Sequence, residues 1–199
     1  AEYGDNILEK LAPLLHKKMK ILEIGCGSGI SMYRIAPKVG AYYATDLSSG
    51  IIENNRSRIF QEGHTNIFLS RLAAHEIDRL DQRDFDMVII NSVIQSFHGY
   101  NYLRNVIIKS IDMLGDNGYL FIGDILDLDL KENLVKEMIE FKYNDPRGSS
   151  KTKTDWSVDL FVSRSFFEDI SLDLPTISDV ELSGKIYTLE NELTKFRYD

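Results

Sequence analysis

The chain has a single cysteine, Cys26, among 199 residues. No internal disulfide can form, and a reducing compartment, the cytoplasm, is the expected setting. Positive charge is also short: 23 Lys and Arg stand against 31 Asp and Glu, a formal net charge of -8. A broad phosphate-neutralising surface is therefore missing, which argues against RNA or DNA as a partner. The four histidines, His16, His64, His75 and His98, fall at no metal-ligand spacing, so zinc is not expected. No apolar run approaches the ~20 residues of a membrane span, and no charged segment leads into an apolar signal core. A soluble chain with no membrane partner is expected. Repeats and low-complexity stretches are missing as well.

What is there suffices for one well-buried core: 43% of the residues are hydrophobic and 11% aromatic. A single domain over residues 1–199 is expected. Because the chain opens on Ala1-Glu2-Tyr3 and closes on Tyr198-Asp199 inside a strand-like run, that domain reads as part of a larger protein. Strand-like and helix-like segments alternate throughout, the rhythm of an α/β fold. Apolar Ile7, Leu8, Leu11, Leu14 and Leu15 predict a helix over 5–18, and a buried strand follows at 20–24. "AYYATD" (41–46), "NIFLS" (66–70), "FDMVIIN" (85–91) and "GYLFIGD" (118–124) read as four more strands. Helical patterns lie around 48–61, 73–80 and 100–114, then at 128–142 and near 163–170. The polar "NDPRGSSKTKTD" (144–155) is expected to be a mobile loop, and "ISDVELSGKIY" and "ELTKFRYD" read as two late strands.

Four of the first five strands end on Asp46, Ser70, Asn91 and Asp124. In an open parallel sheet the carboxyl ends of the strands line the ligand crevice, so these residues should converge there. The loop "GCGSG" after the first strand joins them with Gly25, Gly27 and Gly29. A dinucleotide fingerprint needs glycine at position 30, where Ile30 stands, and a phosphate-binding Gly-Lys-Ser/Thr is missing. The remaining pattern is a loop against which a ligand can lie, with Glu23 before it and Asp46 placed to accept both hydroxyls of a ribose. A nucleoside without phosphates, carrying a positive group near Glu23, suits that set; S-adenosyl-L-methionine is such a molecule.

Residues 23–29, with the E-x-G-x-G-x-G pattern, resemble the class I S-adenosylmethionine-dependent methyltransferases, and the resemblance runs over essentially the whole chain. It implies a Rossmann-like, seven-stranded, mostly parallel sheet flanked by helices, with a C-terminal antiparallel strand pair. Glu23, Gly25, Cys26, Gly27 and Gly29 would wrap the methionine part, Asp46 would hold the ribose and Leu47 would lie against the adenine. Where the family often carries an acid after the third strand, this chain has Ala73 and Ala74, so adenine contacts there would come from backbone, or from His75 or Glu76. "FDMVIINSVIQSF", "GYLFIGDI" and "NELTKFRYD" resemble, more narrowly, the methyltransferase domains embedded in nonribosomal peptide synthetases. That resemblance implies N-methylation of an aminoacyl group tethered as a thioester to a peptidyl carrier protein.

Acceptor-side roles are expected of Asn91, which also borders the cofactor, and of His98 and Asp124 as candidates for handling the proton of the acceptor amine, with Tyr100 helping to orient it. Plainer readings stand beside these. The glycines also suit a tight turn, Asp46 a helix cap, and Asn91 a strand-ending turn. Asp124, Asp127 and Asp129 beside Asn91 admit a magnesium reading, but acids after a strand more often cap helices, and no metal is expected. A free-standing O- or C-methyltransferase of small molecules and a non-catalytic cofactor-binding scaffold are the alternatives in function.

Overall fold

The computed structural model describes residues 2–144, 156 and 158–199. Of the polar stretch expected to be a loop, all but Asn144 lies outside the described residues. Five strands, β1 (Lys20–Ile24), β2 (Ala41–Asp46), β3 (Ile67–Arg71), β4 (Phe85–Asn91) and β5 (Leu114–Gly123), form a parallel sheet in the order β3-β2-β1-β4-β5. Alternate residues of the central strands feed two separate cores. Leu22, Ile24, Val88 and Ile90 face one side, and Ile21, Tyr42, Ala44, Met87 and Ile89 face the other. A sheet apolar on both faces must be covered on both. Helices α1 (Glu2–Leu11) and α2 (Met32–Ile35) cover the second face with Ile7, Leu11, Met32 and Ile35. Helices α4 (Tyr100–Asp112) and α6 (Arg164–Asp173) cover the first with Leu103, Val106, Ile107, Phe167 and Ile170. Each fully buried aliphatic side chain contributes about 1.5–3 kcal/mol, and Met87, Val88, Ile89 and Ile90 of β4 are all fully buried.

Between β2 and β3 runs α3 (Ser49–Glu62), which Ser48 caps by accepting from the Ile51 N–H, and which Gly63 closes in the left-handed conformation at φ 72°. Beyond β5 come β6 (Ile125–Leu126), α5 (Lys131–Tyr143), α6, α7 (Glu192–Lys195) and β7 (Arg197–Tyr198). Strands β6 and β7 pair antiparallel, away from the main sheet.

Among the described residues the sheet therefore has five strands, where seven were expected. "ISDVELSGKIY" forms no strand of its own; it touches β7 through a single bridge at Gly184, where Ser183 and Asp199 also exchange backbone hydrogen bonds of 2.8 and 2.9 Å. The first part of "ELTKFRYD" is helical because Asn191 caps it: its side chain accepts from Leu193 N (2.9 Å) and its N–H donates to Thr194 Oγ1. Helix α1 stops at Leu11, just before Pro13, instead of running to residue 18. Segment 74–79 is a 3-10 helix rather than a full α-helix. Strand β5 starts earlier than expected because Leu114 already pairs with Phe85, after which residues 115–118 bulge out before Tyr119 resumes against Met87.

Candidate active site

The order of strands puts the topological switch between β1 and β4, since the chain steps outward from β1 through β2 to β3 and then returns to the other side. The glycine loop leaves β1 at that point. It is anchored to β2 by Gly25 and Cys26, whose N–H groups both donate to Thr45 O at 2.8 and 2.9 Å. The three glycines are required for different reasons. All have positive φ, 77°, 50° and 81°. A Cβ on Gly25 would come within 2.5 Å of Val93, and one on Gly29 would overlap the Tyr33 ring. A Cβ on Gly27 would meet nothing within 4 Å. Gly25 and Gly29 are thus demanded by packing. Gly27 opens onto free space, which is what a loop that cradles a ligand needs.

Asp46, at the end of β2, binds the loop from one side: its Oδ2 accepts from Gly27 N (3.0 Å) and its Oδ1 from Ser48 N (2.8 Å). Each oxygen keeps a further lone pair for a ligand hydroxyl. Leu47 follows, 67% exposed, an apolar platform with little around it. Glu23 precedes the glycine loop in β1. It is 2% exposed, on the β1 face that carries Tyr42, whose hydroxyl donates to Glu23 Oε2 at 3.0 Å. Burial pushes its carboxyl up to about 8; the Asp46 charge adds to this, and hydrogen bonds from Tyr42 and Ser31 oppose it. Burial likewise drives the Cys26 thiol up to about 12, helped by Glu23 and Asp46, which favours the neutral thiol at neutral pH.

Ala73 and Ala74 sit after β3, nearly buried, where the sequence pattern left adenine contacts to backbone or to His75 and Glu76. Both of those side chains are engaged elsewhere: Glu76 Oε2 accepts from Ala73 N (3.1 Å), and His75 Nδ1 lies 2.9 Å from the Tyr102 hydroxyl. On the other side of the switch, Asn91 is 9% exposed and opposite Gly123, where a Cβ would come within 2.5 Å of Asn91 Oδ1. His98 is exposed, edge-on to Tyr102 with ring centroids 5.9 Å apart. Tyr100 turns its hydroxyl to Phe161 O (2.7 Å).

Asp124 is the residue whose surroundings the sequence does not convey. It is 1% exposed at φ 63°, and its N–H donates to Asp199 Oδ1 at 2.6 Å. Arg197 Nη1 lies 2.8 Å from its Oδ2 and Lys185 Nζ 3.6 Å from its Oδ1. Lys185 also meets Asp199 at 2.7 Å, and Lys10 of α1 meets the same carboxylate at 2.6 Å. These contacts hold the Asp199 carboxyl below its usual range although burial acts the other way. Asp127 caps toward Asp129 N and faces Arg164. Sequence reasoning passed over Lys185, Arg197 and Asn55. For Asn55 a signal existed: it interrupts the apolar stripe Ile52, Asn55, Ile59 of α3, and it is 4% exposed.

A family model described as a methyltransferase domain matches residues 22–120, the span from β1 into β5. The chain is 34% identical over 181 residues, 90% of its length, to the probable nonribosomal peptide synthetase CymA of Salinispora arenicola, and 33% identical over 200 residues, 94% of its length, to chondramide synthase of Chondromyces crocatus. It spans only 2% and 5% of those two proteins. In fold it is similar to the YcgJ protein of Bacillus subtilis, with a TM-score of 0.63 at 16% identity over 87% of this chain and 68% of that one. The chain is a class I S-adenosylmethionine-dependent methyltransferase domain. Within that class it is homologous to methyltransferase regions of nonribosomal peptide synthetases. The open space at Gly27 and the spare lone pairs of Asp46 fit the family's cofactor, S-adenosylmethionine.

Proposed function

We propose that this domain methylates the α-amine of an aminoacyl group carried as a thioester by a carrier protein. The observation that carries the reading is homology over 90% and 94% of the chain to stretches of two very large synthetases, one of them named as a nonribosomal peptide synthetase. The cofactor lies along residues 25–29 in this reading, with Asp46 on the ribose, Leu47 against the adenine and the peptide groups at Ala73 and Ala74 at its edge. Bound there, it supplies an activated sulfonium methyl. The residues of the chain then have to orient the acceptor, keep water out and leave the amine neutral. Asn91, buried at the switch point, is assigned to orient the acceptor. Exposed His98 is assigned to the proton released from the nitrogen. Asp124, buried between Arg197 and Lys185, is assigned to the acceptor-side wall rather than to proton transfer, because each of its oxygens already faces a cation of the chain itself.

A weak protein base suits a thioester acceptor. The thioester withdraws electron density from the amine and leaves more of it neutral near pH 7. Tethering also raises the effective concentration, so the pocket need not bind a free amino acid tightly. The test offers the purified domain aminoacyl thioesters on a carrier protein or a pantetheine mimic, beside the free amino acids, and locates the methyl by mass spectrometry. N-methylated thioesters, with free amino acids turned over at least about tenfold less efficiently, are expected. Methyl on oxygen or carbon removes the N-specific claim. Efficient turnover of an unrelated free metabolite, with none on any thioester, favours the free-standing alternative, and cofactor binding without any transfer favours the scaffold.

A further inference from the structure

Asn55 stands in the middle of α3, where a polar side chain is a poor choice for stability. Its neighbours on the same stripe are Ile51, Ile52 and Ile59, and leucine there would add apolar burial and helix propensity. Asn55 is nevertheless 4% exposed and saturated with partners. Its Nδ2 donates to Gly27 O at 2.8 Å and lies 3.9 Å from Cys26 Sγ. Its Oδ1 accepts from the Tyr33 hydroxyl at 3.1 Å. The donor on Tyr33 and the acceptor on Gly27 together fix which way the carboxamide points. Tyr33 is itself held, with the Arg58 guanidinium 3.8 Å from its ring centre and its ring filling the space beside Gly29.

The Gly27 residue is therefore gripped at both of its backbone polar groups by side chains from separate elements. Asp46, from β2, takes the N–H, and Asn55, from α3, donates to the C=O. A glycine left alone populates φ above and below zero with similar ease. Gly27 stands at φ 50°, and the side of the residue where a Cβ would project is open. We propose that Asn55, oriented by Tyr33, is a positioning residue for S-adenosylmethionine: it holds the Gly27 carbonyl back against α3 so that the loop keeps the shape on which the methionine part of the cofactor lies. This rests on the reading of loop 25–29 as the methionine cradle. If the held conformation is the binding-competent one, releasing it lowers affinity by the fraction of time the loop leaves it.

The role predicts a selective defect. A nucleoside lacking the amino-acid part of the cofactor, 5′-methylthioadenosine, relies on Asp46 and Leu47 but not on the Gly27 carbonyl. The experiment measures binding of S-adenosylmethionine and of methylthioadenosine by calorimetry to the wild-type domain, Asn55→Asp, Asn55→Ala and Tyr33→Phe. Asn55→Asp keeps the shape and the bond from Tyr33 but loses the donor to Gly27, so it reads the proposed contact even if Asn55→Ala folds poorly. For Asn55→Asp the Kd of S-adenosylmethionine should rise about tenfold or more, the value of one lost hydrogen bond, while that of methylthioadenosine stays within about twofold. Tyr33→Phe should give a smaller change with the same selectivity. Equal weakening of both ligands, or no weakening of either, overturns the proposal. If the wild-type domain binds neither ligand, the cradle reading itself has failed, a result distinct from any of these.

Discussion

Glu23 shows how far a residue's chemistry can depart from its place in a pattern. An acid before a glycine loop looks from sequence like a counter-charge for a cationic ligand, yet burial against Tyr42 raises its carboxyl to about 8. A group whose pKa is higher in the folded than in the unfolded chain binds extra protons when folded. Its stabilising contribution is complete below the unfolded value, 4.5, and is lost as pH rises through about 8. Glu23→Gln removes that term while preserving shape and an acceptor for Tyr42. Between pH 5 and 8 the wild-type domain should therefore lose a few kcal/mol of stability relative to the variant. Urea unfolding at several pH values reads this, and parallel stability curves for the two proteins would count against it. The roles of Gly25, Gly27 and Gly29 were legible as a group. Their division into two packing glycines and one open one depends on Val93 and Tyr33, which no spacing rule connects to the loop.

At the scale of elements, the parallel strands were readable because each is a short apolar run and four of the five were expected to end on a polar residue, and β1, β2 and β4 match their expected limits. The C-terminal third was not. There the alternation in "ELTKFRYD" suggested one strand, but the Asn191 cap turns its first half into α7, and β7 is held both by Tyr198, fully buried in the core, and by the ion pair of Arg197 with Asp124. Arg197 reaches Asp124 on one side and Glu192, at 2.8 Å, on the other, with its side chain 9% exposed. Removing one member of a buried pair strands the other's charge, which costs about 3–5 kcal/mol, whereas an exposed pair such as Arg58 with Glu62 is screened by solvent and contributes little. Arg197→Met should accordingly destabilise the domain by about 3 kcal/mol, and adding Asp124→Leu should restore part of that. Chemical denaturation of the two variants decides it; a loss below about 1 kcal/mol in Arg197→Met would mean that Lys185 alone satisfies Asp124.

For the molecule as a whole, the same ionic cluster brings the two end regions of the described chain together. Asn6 and Lys10 of α1 reach the Asp199 carboxylate at 3.2 and 2.6 Å, and the Ile186 N–H donates to Asn6 Oδ1 at 2.7 Å. Glu2 lies one helical turn before Asn6, about 6 Å along the axis. A flexible linker of about ten residues, with a root-mean-square reach of roughly 18 Å, should therefore join residue 199 to residue 2 without strain. A circular permutant closed in this way and opened at the turn after α3, between Gly63 and His64, should melt within a few degrees of the parent, as a thermal scan by circular dichroism would record. Loss of the folded state in that permutant, while a linear control carrying the same linker stays folded, would mean that the two regions cannot be bridged as the contacts imply.

The clasp between Lys10 and Asp199 also sets how the described residues would sit if they were inserted into another polypeptide. A chain that enters and leaves at neighbouring points adds no length and imposes no bend on whatever it interrupts. To such a host the domain would be a side branch hung from a single loop rather than a link in series. It could be carried, swung or removed without re-spacing the parts on either side.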